Sequence, residues 1–253
     1  MVVHATDLSI VIPMKNEAGN VGALLAEIAA LDDDLPPFEV IVVDDGSTDG
    51  TGEAARAAWT LAPERLRVLR HPTSGGQSAA VHTGVLAAHG WLCATLDGDG
   101  QNPPAELPNL VAPLLAAGAD KVGLVAGQRV KRQDTLSKRL ASRFANALRS
   151  WLLKDGTRDT GCGLKAFRRG AFLRLPYFDH MHRYLPALFK RDGWQVALVD
   201  VSHRERGAGR SKYTNFGRAL VGIHDLIGVA WLIKRGKKAR PLPERPPEDP
   251  ADA

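Results

Sequence analysis

The apolar positions of this chain fall into short continuous runs separated by stretches of helical spacing. Leu8 to Pro13, Phe38 to Val43, Leu66 to Leu69 and Trp91 to Leu96 are the runs. Between them, Val21 to Leu31, Thr51 to Trp59 and Gln77 to His89 carry apolar residues three and four apart, the period of a helix with one buried face. The alternation is βα, repeated with short connections. Runs that are apolar on both faces belong to a parallel sheet covered by helices, so a doubly wound half is predicted. Ser47 or Asp49 is placed to cap the helix near Thr51, and Ser74-Gly75-Gly76 breaks the chain before Gln77.

Beyond residue 128 the pattern is less regular and more basic. Arg129, Lys131, Arg132, Lys138, Arg139 and Arg143 lie close together with only Asp134 opposing them. Helical spacing runs from Leu136 to Leu153, a helix is expected around Met181 to Lys190, and a strand around Gln195 to Val201. No long linker separates the halves, so 1–240 is expected to be a single domain. The Pro- and acid-rich residues 241–253 are expected to be a disordered tail. Residues 219–233 form the most apolar stretch, shorter than the ~20 residues needed to span a bilayer and interrupted by His224 and Asp225. Lys234, Arg235, Lys237, Lys238 and Arg240 follow at once. The pattern fits equally a helix lying on a membrane surface and one packed on the core with a solvated basic end.

Composition narrows the class only a little. The 253 residues are 44% hydrophobic and 24% charged, which is ordinary for a globular chain. A formal net charge of +5 suits a nucleic acid or an anionic membrane. The basic residues are interleaved with glycine and apolar residues rather than with stacking aromatics, so nucleic-acid binding is not expected. Two cysteines, Cys93 and Cys162, make no disulfide framework, which points to a reducing compartment. Met1 to Asp7 lacks the features of a secretory signal.

Candidate chemistry sits at the strand ends. Asp97-Gly98-Asp99-Gly100-Gln101-Asn102-Pro103-Pro104 follows the run ending at Leu96, and open α/β sheets bind ligands at such carboxyl ends. Two acids flanking a glycine that lets backbone approach a phosphate suit a hard cation, Mg²⁺ or Mn²⁺, held against a diphosphate. A second acidic strand end, Asp44-Asp45-Gly46-Ser47-Thr48-Asp49, lies upstream. Two such ends repel unless a cation or a cationic ligand group lies between them.

Taken with Ile10-Val11-Ile12-Pro13-Met14-Lys15-Asn16-Glu17, these two motifs resemble the successive signatures of family 2 glycosyltransferases with the GT-A fold. Gln101 and the following Pro-Pro, Gly161-Cys162-Gly163-Leu164-Lys165, His182-Arg183-Tyr184-Leu185-Pro186 and Gly209-Arg210-Ser211-Lys212-Tyr213 narrow the resemblance to the polyprenyl-phosphate, dolichyl-phosphate mannose synthase-like members. It covers roughly residues 8 to 235. It implies an α/β, Rossmann-like, mostly parallel sheet flanked by helices, with C-terminal amphipathic helices. Residues 8–128 would form the nucleotide-sugar half, 129–218 the acceptor half and 219–240 a membrane-surface helix.

The resemblance also assigns roles. Pro13, Lys15, Glu17, Val43, Asp45, Asp97, Gly98, Arg206 and Lys212 match donor-binding positions, and Asp97, Asp99 and Gln101 the metal site. Arg129 and Arg210 match cations that face the phosphates, and Arg139 and Arg143 are candidates to orient an acceptor phosphate bidentately. Asp97, Asp99 and Arg129 are the expected catalytic residues. The acidic pair that serves as base in hydroxyl-glycosylating members is missing, and Asp159-Thr160-Gly161-Cys162-Gly163 stands there instead. A phosphate monoester has a second pKa near ~6 and needs no base, which favours a lipid phosphate as acceptor. The usual Ser-Gly-Phe reads Cys162-Gly163-Leu164, placing a weak thiol donor where a hydroxyl is expected. The implied activity is inverting transfer of a sugar from a GDP- or UDP-linked donor to a polyprenyl phosphate, peripherally at the cytoplasmic membrane face. A glycan or protein hydroxyl as acceptor, or a silent membrane-bound scaffold, are the competing readings. Intact Asp97, Asp99, Gln101 and Arg129 speak against the scaffold.

Overall fold

The computed structural model of the chain describes residues 6–130, 149–204 and 215–236. Four expected strands are present as β1 (Leu8–Met14), β2 (Phe38–Asp44), β3 (Leu66–Arg70) and β4 (Leu92–Thr95). Helices α1 (Ala18–Ala29), α2 (Thr51–Ala58) and α3 (Gln77–Ala87) connect them. The helical spacing read as far as His89 stops at Ala87, because Ala88 is already extended at ψ 141°. Neither Ser47 nor Asp49 holds the N-cap of α2, which is Gly50 at φ 79°, though Asp49 just before it accepts the Thr51 backbone N–H at 3.1 Å. The Ser47 hydroxyl is committed elsewhere, accepting the N–H of Asn16 at 2.9 Å.

Three further elements were not legible in the pattern. Helix α4 (Leu107–Leu115) contains Pro108 and Pro113, β5 (Val122–Arg129) contains Gly123 and Gly127, and β6 (Lys165–Arg168) has only four residues. Each breaks the local rule for its own class. A short helix α5 (Arg169–Phe172) follows β6. The helix expected around Met181 to Lys190 is a 3₁₀ turn (Met181–Arg183) and then α6 (Leu185–Arg191), which starts where Pro186 suits a first turn. Strand β7 (Gln195–Val201) and helix α7 (Asn215–Lys234) complete the described chain.

The seven strands form one sheet in the order β3-β2-β1-β4-β6-β5-β7. All run parallel except β6, which is antiparallel to both β4 and β5. Period-two alternation divides β1 between two cores. Ile10 and Ile12 pack among α1, α2 and α4, while Val11 faces α3 with Ile41, Val43 and Phe167.

The C-terminal apolar stretch packs on the core by one face. Val229 of α7 is fully buried, and Leu226, Ala230 and Ile233 pack on the core. Ile223, Ile227 and Trp231, four apart, are 55%, 62% and 59% exposed. So the helix docks by one face and presents a second apolar stripe outward. Among the described residues no helix is long and apolar enough to cross a membrane.

Candidate active site

Parallel strands deliver their last residues to one edge of the sheet, and here that edge carries the chemistry. Pro13 lies near the end of β1, Asp97 two residues beyond β4, and Arg129 at the end of β5. Because β6 runs the other way, its first residue arrives at the same edge. Lys165 pairs with Thr95 on one side and Ala126 on the other. These residues line a cavity of about 410 Å³ with Gln77 from α3, Asp159 to Gly163 from the preceding loop, and His182, Arg183 and Leu185.

Asp97 is the acidic centre of the cavity. Gln77 Nε2 donates to its Oδ1 at 2.7 Å and Asn102 Nδ2 to its Oδ2 at 3.0 Å. Burial raises the pKa of its carboxyl, and the charge of Asp99 raises it further, against Lys165, the Asn102 amide and Arg129. A half-buried acid with a like charge beside it favours a cation. Two carboxylates and an amide oxygen, Asp97, Asp99 and Gln101, are donors that would suit a hard divalent ion completed by ligands from outside the chain. No cluster of three or more His, Cys, Asp or Glu exists among the described residues, so a metal here needs those outside ligands. Backbone geometry shapes the same site. Asp99 Oδ1 accepts the Gln101 N–H at 3.1 Å, and the Gln101 carbonyl accepts the Arg204 N–H at 2.9 Å. Gly98 has a second reason to lack a side chain, since a Cβ there would stand 2.6 Å from Met14 Cγ.

Arg129 is held by Asp159. Its Nε donates to Oδ2 at 2.5 Å and its Nη2 to Oδ1 at 3.0 Å, a bidentate pair with both side chains 15% exposed. Asp159 is itself placed by Gln128, whose Oε1 accepts the N–H groups of Arg158 (2.9 Å) and Asp159 (3.0 Å). Burial lowers the pKa of Lys165, opposed by Cys162, Asp97 and Asp159, and its Nζ donates to the Cys162 carbonyl. Cys162 is buried and burial raises its thiol pKa, so it packs as a small hydrophobe rather than acting as a nucleophile.

The donor positions implied by the resemblance are spread more widely. Lys15 is exposed just past β1, and Glu17 accepts the Asn20 amide at 2.6 Å ahead of α1. Val43 is fully buried, its side chain in the core. Asp45 accepts four hydrogen bonds from the chain, from His71 Nδ1 (2.7 Å), Ser74 Oγ (2.6 Å), Gly75 N (2.8 Å) and Gly76 N (2.9 Å). Burial alone would raise its pKa, but these bonds prevail and hold the carboxyl below its ordinary value. Its evident work is to fix the loop that starts α3 and thereby Gln77. Arg139, Arg143, Arg206, Arg210 and Lys212 lie outside the described residues.

Of the expected site residues, the cavity gathers Pro13, Asp97 and Arg129. It adds Gln77, Asp159, Lys165, His182 and Arg183, which had no assigned role. Lys165, His182 and Arg183 lay inside quoted motifs, so the signal existed. Gln77 and His71 carried none.

Known proteins place the chain in a family and a fold. Residues 9–175 match Glycosyl transferase family 2. A dodecaprenyl-phosphate galacturonate synthase of Rhizobium johnstonii is 34% identical over 249 residues, covering 94% of this chain and 70% of that protein. An undecaprenyl-phosphate 4-deoxy-4-formamido-L-arabinose transferase of Aeromonas hydrophila is 35% identical over 236 residues, covering 93% and 69%. Among solved structures, glucosyl-3-phosphoglycerate synthase from Mycobacterium tuberculosis, bound to Mn²⁺, UDP and phosphoglyceric acid, superposes with a TM-score of 0.66 at 22% identity. It covers 92% of this chain and 80% of that one. The same enzyme with Mg²⁺ and UDP gives 0.67 at 20% identity, covering 92% and 81%. At that identity the likeness speaks for the fold. The curated relatives extend it to the family, and the chain is a member of glycosyl transferase family 2.

Proposed function

We propose that this chain transfers a sugar from a nucleoside diphosphate to a polyprenyl phosphate, with inversion, at the inner membrane surface. The observation that carries the reading is the cavity itself, lined by Asp97 of the acid pair and by an arginine that a carboxylate orients. Both curated relatives named above act on polyprenyl phosphates, and this supports the same acceptor class here. Asp97, Asp99 and Gln101 would hold a Mg²⁺ or Mn²⁺ ion, which when bound offsets the charge developing on the departing diphosphate. The crystallised neighbours with Mn²⁺ or Mg²⁺ support that choice.

In this reading Gln77 and Asn102 keep the Asp97 carboxylate in place, and Asp159 aims Arg129. Its side-on fork is taken by Asp159, which leaves Nη1 for an acceptor phosphate oxygen. A lipid phosphate oxygen attacks the anomeric carbon as the bond to the diphosphate breaks. No proton need be removed, because the phosphate is largely a dianion at neutral pH. Asp159, engaged by Arg129, then serves as a positioning residue and not as a base.

Incubation of the protein with dodecaprenyl phosphate, Mn²⁺ and radiolabelled UDP- and GDP-sugars is expected to give a lipid-extractable product. The acid limb of its pH profile is expected near ~6, following phosphate ionisation. Asp159→Asn is expected to raise the acceptor KM about 10-fold while preserving that limb. A loss above ~100-fold in kcat with the fold intact would instead identify a base and a hydroxyl acceptor.

Helix α7 supplies the proposed membrane contact. Ile223, Ile227 and Trp231 point outward, and Lys234 and Arg235 are exposed at its end. Each cation near an anionic leaflet contributes roughly 1 kcal/mol, screened by salt. Co-sedimentation with anionic vesicles is expected for the wild type at low salt. It is expected to fall sharply when Lys234, Arg235, Lys237, Lys238 and Arg240 are changed to Gln. Equal binding by the two proteins would reject the electrostatic part.

A further inference from the structure

One polar group of the cavity wall has no part in the chemistry described so far. His182 belongs to the 3₁₀ turn ahead of α6 and lines the cavity with Leu185 and Val81. Its ring is fixed from behind by Ser78, the second residue of α3. Ser78 is buried, and its Oγ accepts the backbone N–H of His182 at 3.2 Å and lies 2.7 Å from Nδ1. The Ser78 hydroxyl hydrogen has no other acceptor among the described residues, so it is donated to Nδ1. That choice sets the tautomer. The remaining proton sits on Nε2, at the opposite side of the ring, and Nε2 has no partner among the described residues. Burial keeps the imidazole pKa well below its ordinary value, and Lys165, Arg183 and His180 add to the effect. The ring is therefore a neutral donor at neutral pH.

We propose that His182 recognises the transferred sugar, its Nε2–H donating to an uncharged oxygen, a hydroxyl or the ring oxygen. This rests on the reading that the cavity takes a nucleotide sugar. A neutral donor adds nothing to binding a diphosphate or a lipid phosphate that Arg129 does not offer better, whereas it matches a sugar oxygen in both charge and valence. The position agrees. Asp97 marks the diphosphate end, and His182 reaches the cavity on a turn that packs against α3 rather than on the acidic turn. A site built to hydrogen-bond a hydroxyl discriminates strongly against an analogue that lacks it, because the site's donor is then left unpaired. Ser78 and His182 together form such a site, and Ser78 is the residue that keeps the donor pointing inward.

The test is calorimetry with Mn²⁺, comparing UDP-glucose, UDP-galacturonic acid and GDP-mannose with UDP and GDP alone. For the tightest-binding nucleotide sugar, His182→Phe is expected to weaken binding about 10-fold to 100-fold and leave the affinity for the bare nucleotide unchanged. The unchanged nucleotide affinity also reports an intact fold. His182→Gln, which keeps an N–H near the same place, is expected to recover most of the loss. Ser78→Ala is expected to lose part of it, and carries the test if His182→Phe does not fold. Equal weakening of sugar nucleotide and bare nucleotide, or no weakening of either, would overturn the proposal. Failure of the functional reading is a separate result. Sugar-nucleotide affinity that depends on His182, without lipid-linked product from any donor, would overturn the acceptor and sustain the inference.

Discussion

Asp99→Ala is expected to reduce transfer by about 10³-fold or more with the fold intact, and EDTA is expected to do the same to the wild type. By the usual conversion that is roughly 4 kcal/mol of transition-state stabilisation. The size follows from what the acid pair has to do. Burial and the Asp99 charge already raise the pKa of Asp97, so the pair is unfavourable without a cation. Removing Asp99 relieves that repulsion but leaves too few ligands to hold the ion against a diphosphate. Asp99 lies on a turn, with Gln101 and Arg204 tied by backbone bonds beside it, so the substitution leaves no cavity in the core. The check is radiolabelled transfer to dodecaprenyl phosphate, alongside Mn²⁺ binding followed by electron paramagnetic resonance. Full activity in EDTA would remove the metal from the account.

Gly163→Ala is the second large effect, expected to cost about 100-fold or more in kcat/KM. A Cβ at position 163 would stand 2.3 Å from Asp97 Oδ2, 2.4 Å from Cγ and 2.5 Å from Oδ1. All three carboxyl atoms are too close, so no rotation of a single oxygen relieves the contact. Asp97 is not free to move aside, because Gln77 and Asn102 hold its two oxygens. The loop carrying Gly163 is equally fixed, since the Gly163 carbonyl accepts the Thr95 hydroxyl at 2.8 Å. Displacing a carboxylate that the proposed chemistry needs by an ångström costs on the order of 10² in rate even when the fold survives. Gly19→Ala serves as the control, because nothing lies within 4 Å of its added carbon and it sits inside α1. That change is expected to leave activity alone and raise stability by about 0.5–1 kcal/mol. Normal kinetics for Gly163→Ala would mean that Asp97 is free to move, against the packing described.

The demand at position 163 is absent from any local pattern. Cys162-Gly163-Leu164 reads as part of a motif, but the reason for its glycine is a carboxylate 66 positions earlier in the chain. The two meet only because β6 lies antiparallel beside β4 and brings the start of one strand to the end of the other. For the same reason, Lys165 and Asp159 were legible as residues of a motif and not as the partners of Asp97 and Arg129.

What the chain order determined by itself is the first half of the fold and the chemistry of its strand ends. The apolar runs at Leu8, Phe38, Leu66 and Trp91 are short and continuous, and the helical stretches between them keep one period, so hydrophobic burial has a single good solution there. The acid-Gly-acid run after Leu96 is legible for a similar reason, since its meaning depends on neighbours in sequence. The tertiary structure decided the rest. Prolines in α4, glycines in β5 and the brevity of β6 conceal those elements, which hold their shape through packing against β4 and β7 rather than through propensity. Asp45 is the clearest residue-level case. As a carboxylate at a strand end it reads as free to accept a ligand, yet the fold brings it His71, Ser74, Gly75 and Gly76, 26 to 31 positions away, and uses all four bonds to set the loop before α3. Hydrogen-bond capacity belongs to the residue. Whether any of it remains for a substrate depends on long-range contacts that composition, spacing and periodicity do not encode.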